Sequence, residues 1–357
     1  DVGKLLQSFY KYLPADGYVT TEKQSGDLDN SFGVRYLLEY GLKDKYEVGY
    51  TLPGKTKRLN VTIPAVSFEQ RQKNLDQKYS AKIDDLTDFK KQPTHSFEMT
   101  DQNTGLLNFR VFSMASGLDD PAFPGYVKFI DSVFVSLEQN KVANLIIDLR
   151  GNPGGADPMF EQPMMYLTDH TFRENDSAYT IFDDVPYEEY FWGITTDHKM
   201  SGDELTGGKQ FLKSYFPKLI NGRNDQESKH NPVYHPKQPR FKGKTYLLID
   251  ERVASAGSHL ASLIKAYADN LTIVGVETCG GYLGHNGHMP MIYELPESKI
   301  KTKFSIVYVV QDAPPKPDQP VGRGIIPDHT VWQSYDDFIK QLDTQMEFTK
   351  QLIRKTK

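Results

Sequence analysis

The sequence predicts an α/β fold, and three observations carry that prediction. Ala143–Leu149 and Lys244–Ile249 are apolar runs of strand length, and continuous rather than alternating apolarity marks a strand buried on both faces. Gly125–Gln139 places Ile130, Val133, Phe134 and Leu137 at the i, i+3, i+4, i+7 spacing of an amphipathic helix. The strand–helix–strand rhythm then recurs in Lys244–Ile249, Ala256–Ala268 and Leu271–Val276, which implies parallel pairing through right-handed crossovers.

The elements follow in order. Val2–Leu13 has helical spacing, and Pro14-Ala15-Asp16-Gly17 signals a turn. Asp29 or Asn30 can cap a helix reaching about Leu42, and Tyr46–Leu52 and Arg58–Ile63 alternate around Pro53-Gly54 as a hairpin would. These elements make residues 1–66 a small unit. Residues 67–94 are highly charged and read as a linker or solvated helix, before a core at 95–357. Within the core, Ser96–Met99 and Leu106–Met114 are expected strands about Asn103-Thr104-Gly105, and Phe304–Val310 is a further β-rich run. Ser334 is placed to cap one final helix carrying the stripe Phe338, Leu342, Met346 and Ile353. An aromatic-rich insertion, residues 169–240, breaks the rhythm. It reads either as a lid over a cleft, whose removal would alter binding more than stability, or as a satellite cluster.

A chain of 357 residues suggests about two domains. The net charge of −5 argues against a nucleic-acid partner, which wants a basic surface. No apolar run reaches the ~18 residues of a membrane span. Nothing at Asp1 reads as a signal peptide, which suggests a mature or trimmed form. The single cysteine, Cys279, excludes an internal disulfide.

Four segments could carry chemistry. Leu145–Gly155 runs a buried strand into Asp148-Leu149-Arg150-Gly151-Asn152-Pro153-Gly154-Gly155, where glycines let backbone N–H groups face a cavity, as an oxyanion requires. Tyr246–Ser258 ends another buried strand at Ser255-Ala256, where a helix begins; the positive end of its dipole favours an alkoxide, although serines at that position often only cap. Gly275–His288 is a glycine-rich loop in which His285 or His288 could act as a general base. No carboxylate or cysteine cluster in the local sequence completes a metal site there. Gly322–His329 is a turn into an extended segment.

Together, and in this order, the four segments resemble the tail-specific, C-terminal processing serine peptidases and their tricorn-core relatives, across roughly residues 95–345. The resemblance implies a crotonase/ClpP-like ββα core, with a partial PDZ-like module in residues 1–66 similar to that of envelope relatives from Bacteroides-type bacteria. It implies Ser255 as nucleophile, the Ala256 N–H as one oxyanion donor and Gly154, or else Gly155, as the second. Asp148, Arg150 and Asn152 would shape the turn. No metal or organic cofactor is implied, the substrate is extended polypeptide cut near its C-terminus, and the location is extracytoplasmic. The chain departs from the pattern at the base. Gly281 stands where the tail-specific branch has lysine, and Lys265 and Lys299 are misplaced. The tricorn-like branch takes a histidine from ahead of the PDZ-like module, which would lie upstream of Asp1, and its supporting carboxylate has no match before Gly324. Within the chain, His285, His288 and His95 are the candidates. A catalytically silent binding protein on the same core is the alternative, and a crotonase-like acyl-transfer enzyme is more distant.

Overall fold

The computed structural model describes residues 2–9, 32–52, 54–79, 93–195, 197–285 and 288–355. Two compact units separate, one holding the described residues up to Pro93, the other those from Thr94 onward.

In the first unit, helix α1 (Val2–Phe9) and helix α2 (32–40) meet through Phe9, which is fully buried against Leu5, Leu6, Phe32 and Tyr36. Strands β1 (Lys45–Thr51) and β2 (Arg58–Pro64) form an antiparallel hairpin in continuous register from Lys45↔Pro64 to Thr51↔Arg58. Helix α3 (Phe68–Tyr79) occupies much of the charged stretch. The expected Pro14–Gly17 turn, the Asp29 or Asn30 cap, Pro53 and residues 80–92 lie outside the described residues.

The second unit is built on a six-stranded sheet. Its strands are β3 (His95–Asp101), β4 (Thr104–Phe109), β5 (Asn144–Asp148), β10 (Lys244–Ile249), β11 (Leu271–Gly275) and β15 (His329–Thr330), hydrogen-bonded in that spatial order. Only β3 is antiparallel to its neighbour. The register sets Leu107, Ile147, Leu247 and Ile273 in one row across four strands, and all four are buried in the main core. Helix α4 (Phe123–Gln139) closes that face with Tyr126, Ile130, Val133, Phe134 and Leu137, joined by helix α7 (Ala256–Tyr267). On the opposite face Ile146, Tyr246, Leu248 and Val274 pack under Ile353 and Met346. Both faces are therefore covered, as continuous apolarity requires.

The chain end differs from the expectation of one helix. Helix α8 (Tyr335–Lys340) is capped as foreseen, the Ser334 hydroxyl accepting from the Asp337 N–H at 3.0 Å. It stops at Gln341, which adopts φ +60°, and α9 (Thr344–Lys355) starts afresh behind Asp343. Phe338 and Leu342, two members of the expected stripe, are consequently exposed.

The insertion forms no detached flap. Its strands β6 (Asn175–Thr180), β9 (Arg223–Asp225) and β8 (Lys218–Ile220) share a sheet with β14 (Tyr308–Gln311), and β7 (Phe191–Gly193) pairs with β12 (Pro290–Glu294), itself paired with β13 (Lys301–Ser305). The run at 304–310 is thus parts of two strands in different sheets. Ala178, Phe191, Leu212 and Phe216 of the insertion, with helix α6 (Gly202–Tyr215), bury against Met291, Tyr293 and Val307 as a second core. Removing residues 169–240 would take β7 from β12 and β6 from β14, so the insertion contributes to the fold as well as bordering the site.

Candidate active site

Strands β5 and β10 are neighbours and parallel, so their C-terminal ends deliver two loops to one edge of the sheet. Asn152, fully buried, ties these loops together. Its amide donates to the Phe109 carbonyl at 3.1 Å, its side-chain oxygen accepts from the Gly154 N–H at 2.8 Å, and its backbone carbonyl accepts from the Ala254 N–H at 3.1 Å. Asp250 adds a second tie, accepting from the Gly151 N–H at 2.9 Å. Beneath the turn, Asp148 accepts from the Arg150 side chain at 2.9 and 2.7 Å, and Arg150 reaches Asp343 at 2.7 and 2.8 Å.

Ser255 stands at the N-terminus of α7 with φ +49° and ψ −130°. A non-glycine residue with positive φ outside the left-handed helical region is strained, by about 1–3 kcal/mol. Gly154 lies directly against it. A Cβ on Gly154, whose φ is +105°, would stand 2.6 Å from the Ser255 Cβ and 2.9 Å from the Ala256 nitrogen. The sequence-predicted set Ser255, Ala256 and Gly154 therefore meets. The Gly154 N–H, however, is taken by Asn152. Gly155 forms a parallel bridge with Phe112, which turns its own N–H away from that partner, and no acceptor among the described residues takes the N–H of Gly155 or of Ala256.

The third and fourth motifs pack on each other beside this edge. Gly281 bridges Gly324, Glu277 pairs with Arg323 and accepts from the Gly324 N–H at 2.8 Å, and the Thr278 hydroxyl accepts from the Ile325 N–H at 2.8 Å. Lys265 is buried against Asp318 at 3.0 Å, and Lys299 is exposed near Glu294. Both lysines are thus engaged elsewhere, as their sequence positions imply.

The histidines separate clearly. His95 sits at the outer strand β3, its ring edge-on to Tyr126 and Phe129 and bonded to the Thr94 hydroxyl at 2.9 Å; burial lowers its pKa. Three strand spacings, roughly 14 Å, separate β3 from β10, so His95 belongs to the packing there. His285 is buried, with its ring 5.7 Å from that of His259, the residue one helical turn below Ser255. His259 donates through Nε2 to the Glu174 carbonyl at 2.6 Å, so the insertion borders the helix that carries Ser255.

Sequence reading missed the charge gathered at this border. Asp157, Glu174 and His288 place one donor atom each within 4.8 Å of one another. Glu161 is 1% exposed, and its Oε2 has no partner among the described residues. Burial pushes the Asp157 carboxyl up, against the pull of His285. Burial raises Glu161 well above the carboxylate range, and Glu174 and Asp157 add to it; Glu174 is raised by burial and by Asp157. Burial and His285 lower His259 well below the usual imidazole value and bring His288 down to about 4. Residues 157, 174 and 288 are far apart in sequence, so no local pattern announces the group. The fold thus assembles a group that the sequence around the histidine loop does not show.

Comparison with known proteins agrees with this architecture. The sequence profile of Peptidase family S41 matches residues 104–331, more than half of the chain. Among solved structures, mature CPAF complexed with lactacystin is 16% identical with a TM-score of 0.53, covering 98% of this chain and 74% of that one. A candidate peptidase from Parabacteroides merdae is 18% identical with a TM-score of 0.46, covering 78% and 69%. The photosystem II D1 C-terminal processing protease is 13% identical with a TM-score of 0.39, covering 80% and 55%. No curated protein matches the sequence. Matched across both strand-end loops and the helix that Ser255 opens, the chain belongs to peptidase family S41, a family of serine peptidases.

Proposed function

We propose that this protein is a serine endopeptidase cutting extended polypeptide near its C-terminus, with Ser255 as nucleophile. The observation that supports this most is the strained Ser255 held against Gly154, an approach so close that any side chain at 154 would collide with it. The Ser255 oxygen attacks the scissile carbonyl carbon while His285 takes its proton. The oxyanion is held by the Ala256 N–H and, because the Gly154 N–H is already engaged, by that of Gly155. The tetrahedral intermediate collapses to an acyl-enzyme, the leaving amine takes the proton from His285, and water then releases the acyl group by the same steps.

Around this chemistry, residues 1–66 are read as the end of a PDZ-like module, 67–94 as a link and 95–357 as the peptidase core. No helix among the described residues is long and apolar enough to cross a membrane, and an extracytoplasmic site of action is our reading from the family resemblance. Fluorophosphonate labelling followed by hydrolysis of an unstructured protein tests the proposal. Ser255→Ala should abolish both, with a loss of about 10⁶ in kcat on the scale set by triad removal in subtilisin. Hydrolysis that persists in Ser255→Ala rejects the nucleophile. Full activity in His285→Ala, with Ser255→Ala silent, rejects His285 and moves the base to the upstream histidine of the tricorn-like pattern.

A further inference from the structure

We propose that Asp157, Glu174 and His288 bind one divalent transition-metal cation, of the Zn²⁺ type, beside the helix of Ser255. The donors come from three segments: the turn just past Gly155, the start of the insertion and the glycine-rich loop. Two carboxylate oxygens and one imidazole nitrogen are a mixed set that suits Zn²⁺ or Mn²⁺ better than Ca²⁺ or Mg²⁺, which take oxygen alone.

The spacing favours a shared ion over direct pairing. The three donor atoms lie within 4.8 Å, yet among the described residues no ion pair joins His288 to either carboxylate. Ligands roughly 2 Å from a common cation stand about 3–4 Å apart, so small side-chain rotations complete the shell. An independent observation points the same way. Glu161, 1% exposed and bonded to the Tyr234 hydroxyl, feels both Glu174 and Asp157, and among the described residues its Oε2 has no hydrogen-bond partner. The Nε2 of His288 is buried and also lacks a hydrogen-bond partner among the described residues. Buried polar atoms are nearly always satisfied, and adjacent buried carboxylates are either protonated or paired with a cation. Bound there, the metal would fasten the insertion and the histidine loop to the turn that carries Gly155.

The test uses chelator-treated full chain titrated with Zn²⁺, read by calorimetry and by the shift in melting temperature. One equivalent should bind and raise the melting temperature, and Glu174→Gln or His288→Ala should weaken binding about 100-fold or more. Glu174→Gln keeps size and removes a buried charge, so the metal-free variant should remain folded by circular dichroism. Should either variant misfold, Co²⁺ added to the wild-type chain decides instead: visible absorption of a low-coordinate site supports the proposal, and a spectrum of hydrated ion overturns it. Absence of Zn²⁺ binding, or binding untouched in both folded variants, also overturns it.

Discussion

A methyl group at residue 154 would occupy the space against which Ser255 is set. Gly154→Ala places a Cβ 2.6 Å from the Ser255 Cβ on a backbone at φ +105°, so the loop or the serine must move. Misplacement of about 1 Å can cost 10²-fold in rate. Gly154→Ala should therefore lose at least about that factor in fluorophosphonate labelling, while circular dichroism keeps the α/β signature. His95 gives a pH prediction. Its folded pKa lies below the ordinary 6.5 through burial, so the unfolded chain binds the proton more readily. Its contribution is complete above pH 6.5 and declines as pH falls toward the folded value. His95→Phe should flatten the acid side of the stability profile measured by urea unfolding, and an unchanged slope would show that His95 is not its source. At this scale the sequence was informative where residue type and local position suffice: Ser255-Ala256 after a buried strand, and the paired glycines after another. It was silent on Glu161 and Glu174, which look like ordinary surface acids, because burial is set by tertiary packing and not by neighbours in the chain.

Helix α9 illustrates what patterning can and cannot deliver at the scale of an element. Its apolar side was legible in Met346 and Ile353, which pack on the sheet. The break before it was not, since Gln341 at φ +60° is a left-handed residue that glycine or asparagine would have announced. The helix start is fixed by Asp343, which accepts from the Met346 N–H at 3.0 Å and pairs with Arg150. Asp343→Ala should loosen this anchor, with about 1 kcal/mol lost at the cap and faster amide exchange across 344–355. Arg150→Ala should be more severe. It leaves Asp148, 2% exposed, as a buried charge without its partner, a change worth about 3–5 kcal/mol, visible as a lower urea midpoint. Equal effects from the two substitutions would place the energy in the exposed half of the network instead. Strands β5, β10 and β11 and helices α4 and α7 were readable within a residue or two because their apolar periods are strong. The small strands of the insertion were not, at three residues for β7, β8 and β9.

Across the core unit, three apolar clusters divide the labour. Two lie on the opposite faces of the six-stranded sheet, and the third joins the insertion to residues 289–309. Phe216→Ala should raise amide exchange in 175–225 and 290–311 together, and leave 144–149 and 244–249 protected; uniform loss of protection would mean one cooperative body. The sequence disclosed the sheet but not this partnership, because strands β6 and β14 meet across more than a hundred residues with no shared motif. The position of β10, hydrogen-bonded to β5 on one side and β11 on the other, has a consequence for biosynthesis. The turn at Gly154 is translated some hundred residues before Ser255, and the crossover pairing that unites them is non-local and slow by nature. A nascent chain released before β11 lacks one of the two strands that flank β10 and hold the serine's loop in place. On the proposed chemistry, an unfinished polypeptide is unable to cut itself or the proteins around it, so the strand order itself acts as a safety catch.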